Sequence, residues 1–260
     1  MAGTGGEPTN PFLAAGVSAQ AYIDVRPGYP EQILDLLSIK RDDAVLDVGA
    51  GTGKLTAQLY ERSSHVIAVE PSADMRKAFA RAFPDFPSDR LLDGTAESLP
   101  VDDARVDLLA FGQSWHWANE RAAALEAERV MRPGGRIAII YNQLDVRQAW
   151  VHRLSRIMRS GDVHRADRPP DLRVPGHHGH MERPFTAPTL HQLTWIDRLT
   201  VPELYELGTT RSSWIKNTPE GRERMRANLE WYVTEHLGVP HDGAVGLPYH
   251  VHCWVAERLL

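Results

Sequence analysis

The chain has 260 residues, 42% of them hydrophobic, and a formal charge of −5 from 29 Lys and Arg against 34 Asp and Glu. That length is enough to bury a full core and reads most simply as one domain with an insertion. The acidic balance argues against the basic face of a nucleic-acid binder. No apolar stretch reaches the ~18 residues of a membrane span, and the single cysteine, Cys253, excludes an internal disulfide or a cysteine metal cluster.

Met1 to Pro11 is rich in Gly, Thr and Pro and lacks the apolar centre of a signal peptide, so residues 1–20 read as a flexible tail. With one thiol, the expected compartment is the reducing cytoplasm. Pro30 at a first helical position predicts a helix through Leu37. The β-branched run Ala44–Val48 predicts a buried strand that enters Gly49-Ala50-Gly51-Thr52-Gly53, with a helical segment, Lys54–Tyr60, directly after it. Glycine is needed where backbone turns sharply and approaches a ligand without a Cβ in the way. The helix start adds free N–H groups that suit an anionic ligand group.

A second strand, His65–Val69, ends in Glu70, and Pro71 with Ser72 opens a helix carrying Met75 and Phe79. An acidic residue ~20 residues after the glycine turn suits ribose hydroxyls. The glycine spacing is G-x-G-x-G, unlike the G-x-G-x-x-G of dinucleotide folds, and Asp47 precedes it inside the strand end. Arg90–Leu92 reads as a short strand, Asp93-Gly94 as a turn and Val106–Phe111 as a fourth strand. Arg121–Val130 is an amphipathic helix, the Pro-Gly-Gly turn at 133–135 stops it, and Arg136–Tyr141 is a fifth strand. Repeated βα units imply an α/β fold: a Rossmann-like, doubly wound parallel sheet with helices on both faces and ligands at the C-terminal strand ends.

Beyond Asn142 the regularity breaks. Val146–Arg159 reads as a helix, and Gly161 to Pro188 as a long loop rich in Pro, His and Arg, either a lid or disordered. A strand at Leu190–Thr200, helices at Pro202–Leu207 and Pro219–Leu237 and a closing strand at Tyr249–Val255 follow. The expected division is a binding core over 21–145, a helical and loop cap over 146–188, and completion of the sheet over 189–260. His164, His177, His178 and His180 lie in the Pro/Gly-rich loop, which lacks the rigid geometry a metal needs, so they read as surface residues and no metal is expected.

Asp47 to Gly53, with Glu70 at the end of the next strand, resembles motif I and the acidic residue that follows it in the class I S-adenosylmethionine-dependent methyltransferases. The final strands then match that family's antiparallel C-terminal sheet end. The resemblance implies S-adenosyl-L-methionine as cofactor, held by Asp47, Gly49, Gly51, Gly53, Glu70 and Pro71. Ala21-Tyr22 with Arg26-Pro27-Gly28-Tyr29-Pro30 is similar to the leading segment of the small-molecule, trans-aconitate-methyltransferase-like branch. There Arg26 would pair with the methionine carboxylate and Tyr22 would cap the donor methyl; otherwise Arg26 is solvated in a Pro-rich turn, with the tyrosines as staples. Asp93 to Pro100 resembles the adenine loop. Thr95 stands where the family carries Asp, leaving the backbone of Ala96, with Glu97 nearby. Met75 would lie against the adenine face or simply fill the core.

Phe111 to Trp117 resembles the segment bordering cofactor and substrate in that branch. Gln113 would bind the methionine ammonium, and Trp115 and Trp117 would border the acceptor. His116 is either a general base or part of a packed aromatic rim. Tyr141 and Trp214 line the acceptor pocket or pack in the core. The implied reaction is metal-independent methyl transfer to a small molecule, with oxygen favoured over nitrogen or carbon. The donor methyl is already activated, so the protein's task is alignment. The rivals are an RNA or protein methyltransferase, against which stand the acidic balance and the lack of an Asn-Pro-Pro-Tyr signature, and a non-transferase on the same fold. The expected partners are a small methyl acceptor, no nucleic acid and no membrane, in a monomer or homodimer.

Overall fold

The computed structural model describes residues 25–158, 166–176 and 180–260. The tail over 1–20, Tyr22, His164, His177 and His178 lie outside the described residues. Chain order begins α1 (Glu31–Leu36), β1 (Ala44–Val48), α2 (Lys54–Arg62), β2 (His65–Val69), α3 (Ala73–Ala82), β3 (Leu91–Leu92) and β4 (Val106–Gly112). It continues with α4 (Glu120–Val130), β5 (Met131–Leu144), α5 (Ala149–Ile157), β6 (Val174–Pro175), β7 (Met181–Glu182) and β8 (Thr189–Thr200). The last elements are α6 (Val201–Thr209), α7 (Ser212–Ile215), α8 (Pro219–Trp231) and β9 (Ala244–Glu257).

Among the described residues seven strands form one sheet in the order β3-β2-β1-β4-β5-β9-β8. Strands β1 to β5 pair in parallel, and β9 runs antiparallel between β5 and β8. The doubly wound sheet with an antiparallel C-terminal strand is therefore present. Since β8 is antiparallel to β9, it points the same way as β5, and its C-terminal end reaches the same rim.

One face of the sheet packs α1, α2 and Phe79 of α3 against Val45, Leu108, Ala138 and Ile140. The other carries the small-residue face of α4 (Ala123, Ala124, Ala127) together with Phe111, Trp115, Ile139, Tyr141 and Trp254. A third apolar cluster joins α5, α6 and α8 to the ends of β5, β8 and β9, and takes in Val25 ahead of α1. These helices form a cap at the rim where the parallel strands end.

The structure moves several expected boundaries. Strand β5 starts at Met131 instead of Arg136, because Met131 already pairs with Val106. The register then shifts between Val106 and Leu108, and Arg132 to Gly135 are absorbed as an irregularity with Gly134 at φ +80°. Proline and two glycines hid that part of the strand from an alternation pattern. Strand β9 similarly extends back to Ala244 through Pro248. Its pairing with β5 ends at Tyr249, so the missing proline N–H breaks no ladder there. The 161–188 loop contains the two-stranded β6–β7 hairpin. The long helix after Pro219 ends in a widened π turn, Tyr232–His236.

Candidate functional site

At the C-terminal end of β1 the chain turns on glycines. Gly49, Gly51 and Gly53 have φ of +71°, +59° and +86°, a region that penalises any Cβ. The backbone N–H groups of Gly49 and Ala50 both donate to Val69 O, at 2.8 and 3.1 Å, which locks the turn to β2. The three glycines have different surroundings. A Cβ on Gly49 would fall 2.5 Å from Ser114 Cβ, and one on Gly53 2.7 Å from the Phe79 ring. Among the described residues, one on Gly51 would meet nothing within 4 Å. Gly49 and Gly53 are required by packing, whereas Gly51 faces open space, where bare main chain can meet a ligand.

Two carboxylates face this turn. Asp47, 1% exposed, accepts from Thr56 Oγ1 at 2.6 Å through Oδ2, while its Oδ1 is buried without a partner among the described residues. Burial, with a smaller contribution from Glu70, pushes its pKa from 3.8 up to about 7. Glu70, 7% exposed, closes the end of β2. Its Oε2 accepts from Gly51 N and its Oε1 from Ser72 N, both at 2.9 Å. Burial raises its pKa and these N–H groups oppose the rise. Each Glu70 oxygen retains acceptor capacity for hydroxyls. A glycine turn open at Gly51 beside a fixed, buried carboxylate fits an amino-acid tail and a ribose, as in S-adenosylmethionine.

Around this pair the chain is braced. Ser72 caps α3, its hydroxyl accepting from the N–H of buried Met75 at 3.3 Å. Arg76 donates to Glu70 O (2.6 Å), Pro71 O (2.9 Å) and Asp93 Oδ2 (3.0 Å), tying the β2 end to the loop after β3. In that loop Thr95 and Ser98 form an isolated bridge around Ala96. Glu97 accepts from Asn119 N at 2.7 Å, fixing the loop to the start of α4.

The end of β4 is held as tightly. Gln113 sits at φ +58°, and its N–H donates to Ile140 O at 2.9 Å. Its side-chain amide donates to Asn142 O. Ser114 Oγ donates to Val48 O at 2.5 Å. Asn142, buried at the end of β5, donates to Gly28 O (2.9 Å) and accepts from Trp195 Nε1 (3.1 Å). Gln58 clamps Tyr29 through both its N–H and its carbonyl. Arg26 donates to Thr210 Oγ1 (3.0 Å) and Thr210 O (2.8 Å), joining the segment before α1 to the end of α6 in the cap.

The aromatic segment follows as a single 3₁₀ turn, Trp115–Trp117. Trp115 is buried, edge-on to Phe111 at 4.9 Å, with an indole N–H that has no partner among the described residues. His116 lies 4.6 Å from the Trp117 ring and 6.1 Å from the Tyr141 ring. Burial pushes the Tyr141 hydroxyl well above its ordinary pKa. Trp214 lies in α7, four residues beyond Thr210, on the cap. Residues 26, 47–53, 70–75, 95–97, 113–117 and 141 are thus brought to one rim of the sheet, and Trp214 belongs to the helices above it.

Sequence reasoning missed three participants: Arg76, Gln58 and Asn142. Asn142 had a readable signal, a polar residue ending an apolar run. Arg76 and Gln58 follow only from topology. Among the described residues no cluster of His, Cys, Asp or Glu is arranged to hold a metal, and no helix is long and apolar enough to cross a membrane. A groove of about 750 Å³ opens between α5 and α8, lined by Arg153, Arg156 and Arg224 over Met225. None of the sequence-predicted site residues lines it.

Comparisons place these features among known proteins. Residues 46–139 match a family profile described as a methyltransferase domain. An uncharacterized methyltransferase of Mycobacterium tuberculosis (strain ATCC 25618 / H37Rv) is 36% identical over 242 residues, 93% of this chain and 94% of that protein. One from Schizosaccharomyces pombe is 30% identical, covering 80% and 82%. Among solved structures, a putative type II methyltransferase from Anaeromyxobacter dehalogenans aligns with TM-score 0.60 at 23% identity, over 90% of this chain and 98% of that one. A putative methyltransferase from Bacillus halodurans aligns at TM-score 0.53 and 15% identity, over 88% and 98%. At those identities the structural likeness speaks for the fold.

Proposed function

This chain belongs to the class I S-adenosylmethionine-dependent methyltransferases, and we propose that its acceptor is a small molecule methylated on oxygen without a metal. The observation that carries the cofactor site is the pair formed by Gly51, open on its Cβ side, and Glu70, anchored by two backbone N–H groups. In this reading Gly49, Gly51 and Gly53 pass the main chain under the amino-acid tail, and Asp47 supports the turn from below. Glu70 receives the ribose hydroxyls next to Pro71. Met75, Thr95, Ala96 and Glu97 enclose the adenine side. Gln113 and Arg26 attend the ammonium and carboxylate, and Tyr22 attends the methyl.

When bound, S-adenosylmethionine supplies a methyl group on a sulfonium, a donor that needs no further activation. The chain's own residues must hold the acceptor oxygen in line, which is worth about 7–11 kcal/mol when geometry is near ideal. The acceptor side is assigned to Trp115, Trp117, Tyr141 and Trp214, with His116 as general base. His116 fits that role by chemical type and by position, on the turn that leaves β4 at the cofactor rim. The single, buried cysteine supports a reducing cytoplasm, and the protein is proposed to act as a monomer or homodimer.

The test is transfer of a labelled methyl group to a panel of small hydroxyl compounds, small amines, tRNA and mixed protein. Label in the hydroxyl compounds is expected. Label confined to tRNA or protein would replace the small-molecule reading.

A further inference from the structure

The groove between α5 and α8 has no part in the methyl-transfer reading. Its volume, about 750 Å³, falls within the ~300–1,000 Å³ of small-molecule sites. Its walls are two helices packed on each other. Leu154 of α5 and Leu229 of α8 share one apolar cluster, and Tyr232 Oη, just past α8, donates to Trp150 O at 2.9 Å. Arg153 and Arg156 line the groove from α5 and Arg224 lines it from α8, alongside buried Met225 and half-buried Ile157. Residues three apart on a helix are neighbours, with Cβ atoms about 5–6 Å apart. Arg153 and Arg156 thus reach from one wall and Arg224 from the other.

Among the described residues no carboxylate lines the groove. Glu220, Glu223 and Glu230 are also on α8, yet none of them pairs with these three guanidinium groups. Other helical arginines are neutralised: Arg62 by Glu31 and Asp35, Arg129 by Asp103 and Glu126. A chain of net charge −5 therefore gathers three positive charges around one hollow. Like charges so placed repel, and an anion among them relieves the repulsion. Arg153 is also held in place, its guanidinium 5.4 Å from the Tyr232 ring centroid and 6.0 Å from that of Trp231. Stacking fixes the guanidinium plane and leaves its N–H edge to donate.

The donor set selects the ligand class. One guanidinium fork occupies both oxygens of a carboxylate. A phosphate monoester carries close to two charges and three acceptor oxygens at neutral pH, enough for more than one fork. Met225 and Ile157 add apolar surface that a bare phosphate ion would leave uncovered. We propose that this groove is a second binding site, for a small phosphate ester with an apolar body. Arg153, Arg156 and Arg224 hold the phosphate, and Met225 with Ile157 takes the body. This site stands apart from the cofactor and acceptor readings and does not depend on them.

The experiment is calorimetry on the full chain with naphthyl phosphate, against inorganic phosphate (the charge alone) and naphthol (the body alone). Transfer RNA and vesicles containing phosphatidic acid are the other phosphate sources. Arg224→Gln removes a groove cation, and Arg226→Gln removes an exposed cation of the same helix that does not line the groove. Both are surface changes, and equal thermal melting reports that both variants are folded. Naphthyl phosphate is expected to bind the wild type more tightly than either control. It should bind Arg224→Gln about tenfold more weakly, as fits lost hydrogen bonds between charged groups, and Arg226→Gln as it binds the wild type. Saturating S-adenosylhomocysteine should not displace it. No binding to the wild type, equal binding to Arg224→Gln, an equal loss in Arg226→Gln, or displacement by S-adenosylhomocysteine overturns the site. Arg224-dependent binding of tRNA or vesicles without binding of naphthyl phosphate overturns the small-ligand class. Failure of S-adenosylhomocysteine itself to bind would count against the cofactor site and leave the groove result standing.

Discussion

Alanine at Gly51 and at Gly53 separates what the glycine turn does for the fold from what it does for the ligand. Both positions have left-handed φ, +59° and +86°, so each alanine carries a backbone penalty of about 1–2 kcal/mol. At Gly53 the new methyl also falls 2.7 Å from the Phe79 ring. That ring is fully buried and packed against Phe83 and Phe86, so it has little room to retreat. Overpacking of this kind adds about 1–3 kcal/mol. The totals are about 1–2 kcal/mol for Gly51→Ala and about 2–5 kcal/mol for Gly53→Ala. At about 2–4 °C per kcal/mol for a chain of this size, Tm should fall by roughly 2–8 °C and roughly 4–20 °C respectively. Ligand binding should rank the other way. The Gly51 methyl enters open space where the cofactor tail is expected, so calorimetry with S-adenosylhomocysteine should show a loss of about tenfold or more, near 1.4 kcal/mol. Gly53→Ala should bind almost normally at a temperature where it is folded. Wild-type affinity in Gly51→Ala would refute the argument, as would a Tm loss matching that of Gly53→Ala.

Other perturbations test other parts of the account. Glu70→Ala should weaken S-adenosylhomocysteine by the ~1.5–3 kcal/mol of hydrogen bonds to a charged group, measured by calorimetry; unchanged affinity would remove it from the ribose. Asp47 has a folded-state pKa of about 7 against an ordinary 3.8, so the folded state binds the extra proton and stability falls as pH rises between those values. The gap amounts to roughly 4 kcal/mol, of which about 3 kcal/mol falls between pH 5 and pH 8, and Asp47→Asn should remove most of that part in urea unfolding at those two pH values. Parallel pH profiles would contradict the burial assignment. Asn142→Ala strands Gly28 O and Trp195 Nε1, and should cost about 1–3 kcal/mol in the same unfolding assay. No loss would mean that water replaces both bonds.

The sheet was readable where local chemistry and tertiary context agree. Ala44–Val48 and His65–Val69 are β-branched, buried and bounded by turn residues, and both strands match their expected limits. Agreement fails where a strand contains turn residues. Pro133 to Gly135 lie inside β5 as a register shift, and Pro248 lies inside β9 where only β8 pairs with it. The glycine turn and Glu70 could be read because each follows a strand within a few residues. The tie from Arg26 to Thr210 could not: it joins residues 184 positions apart, brought together only when the cap helices fold over the rim. The bonds of Asn142 to Gly28 and Trp195 were hidden for the same reason, although the residue itself stood out as a polar end to an apolar run.

A crystal structure of the full chain with S-adenosylhomocysteine would test the central claim most directly. The account predicts the amino-acid tail over Gly49–Gly53, the ribose hydroxyls on Glu70 and the sulfur facing the side of the rim that holds His116 and Tyr141. A ligand seated elsewhere, such as the arginine-lined groove between α5 and α8, or a Glu70 carboxylate turned away from the sugar, would contradict it.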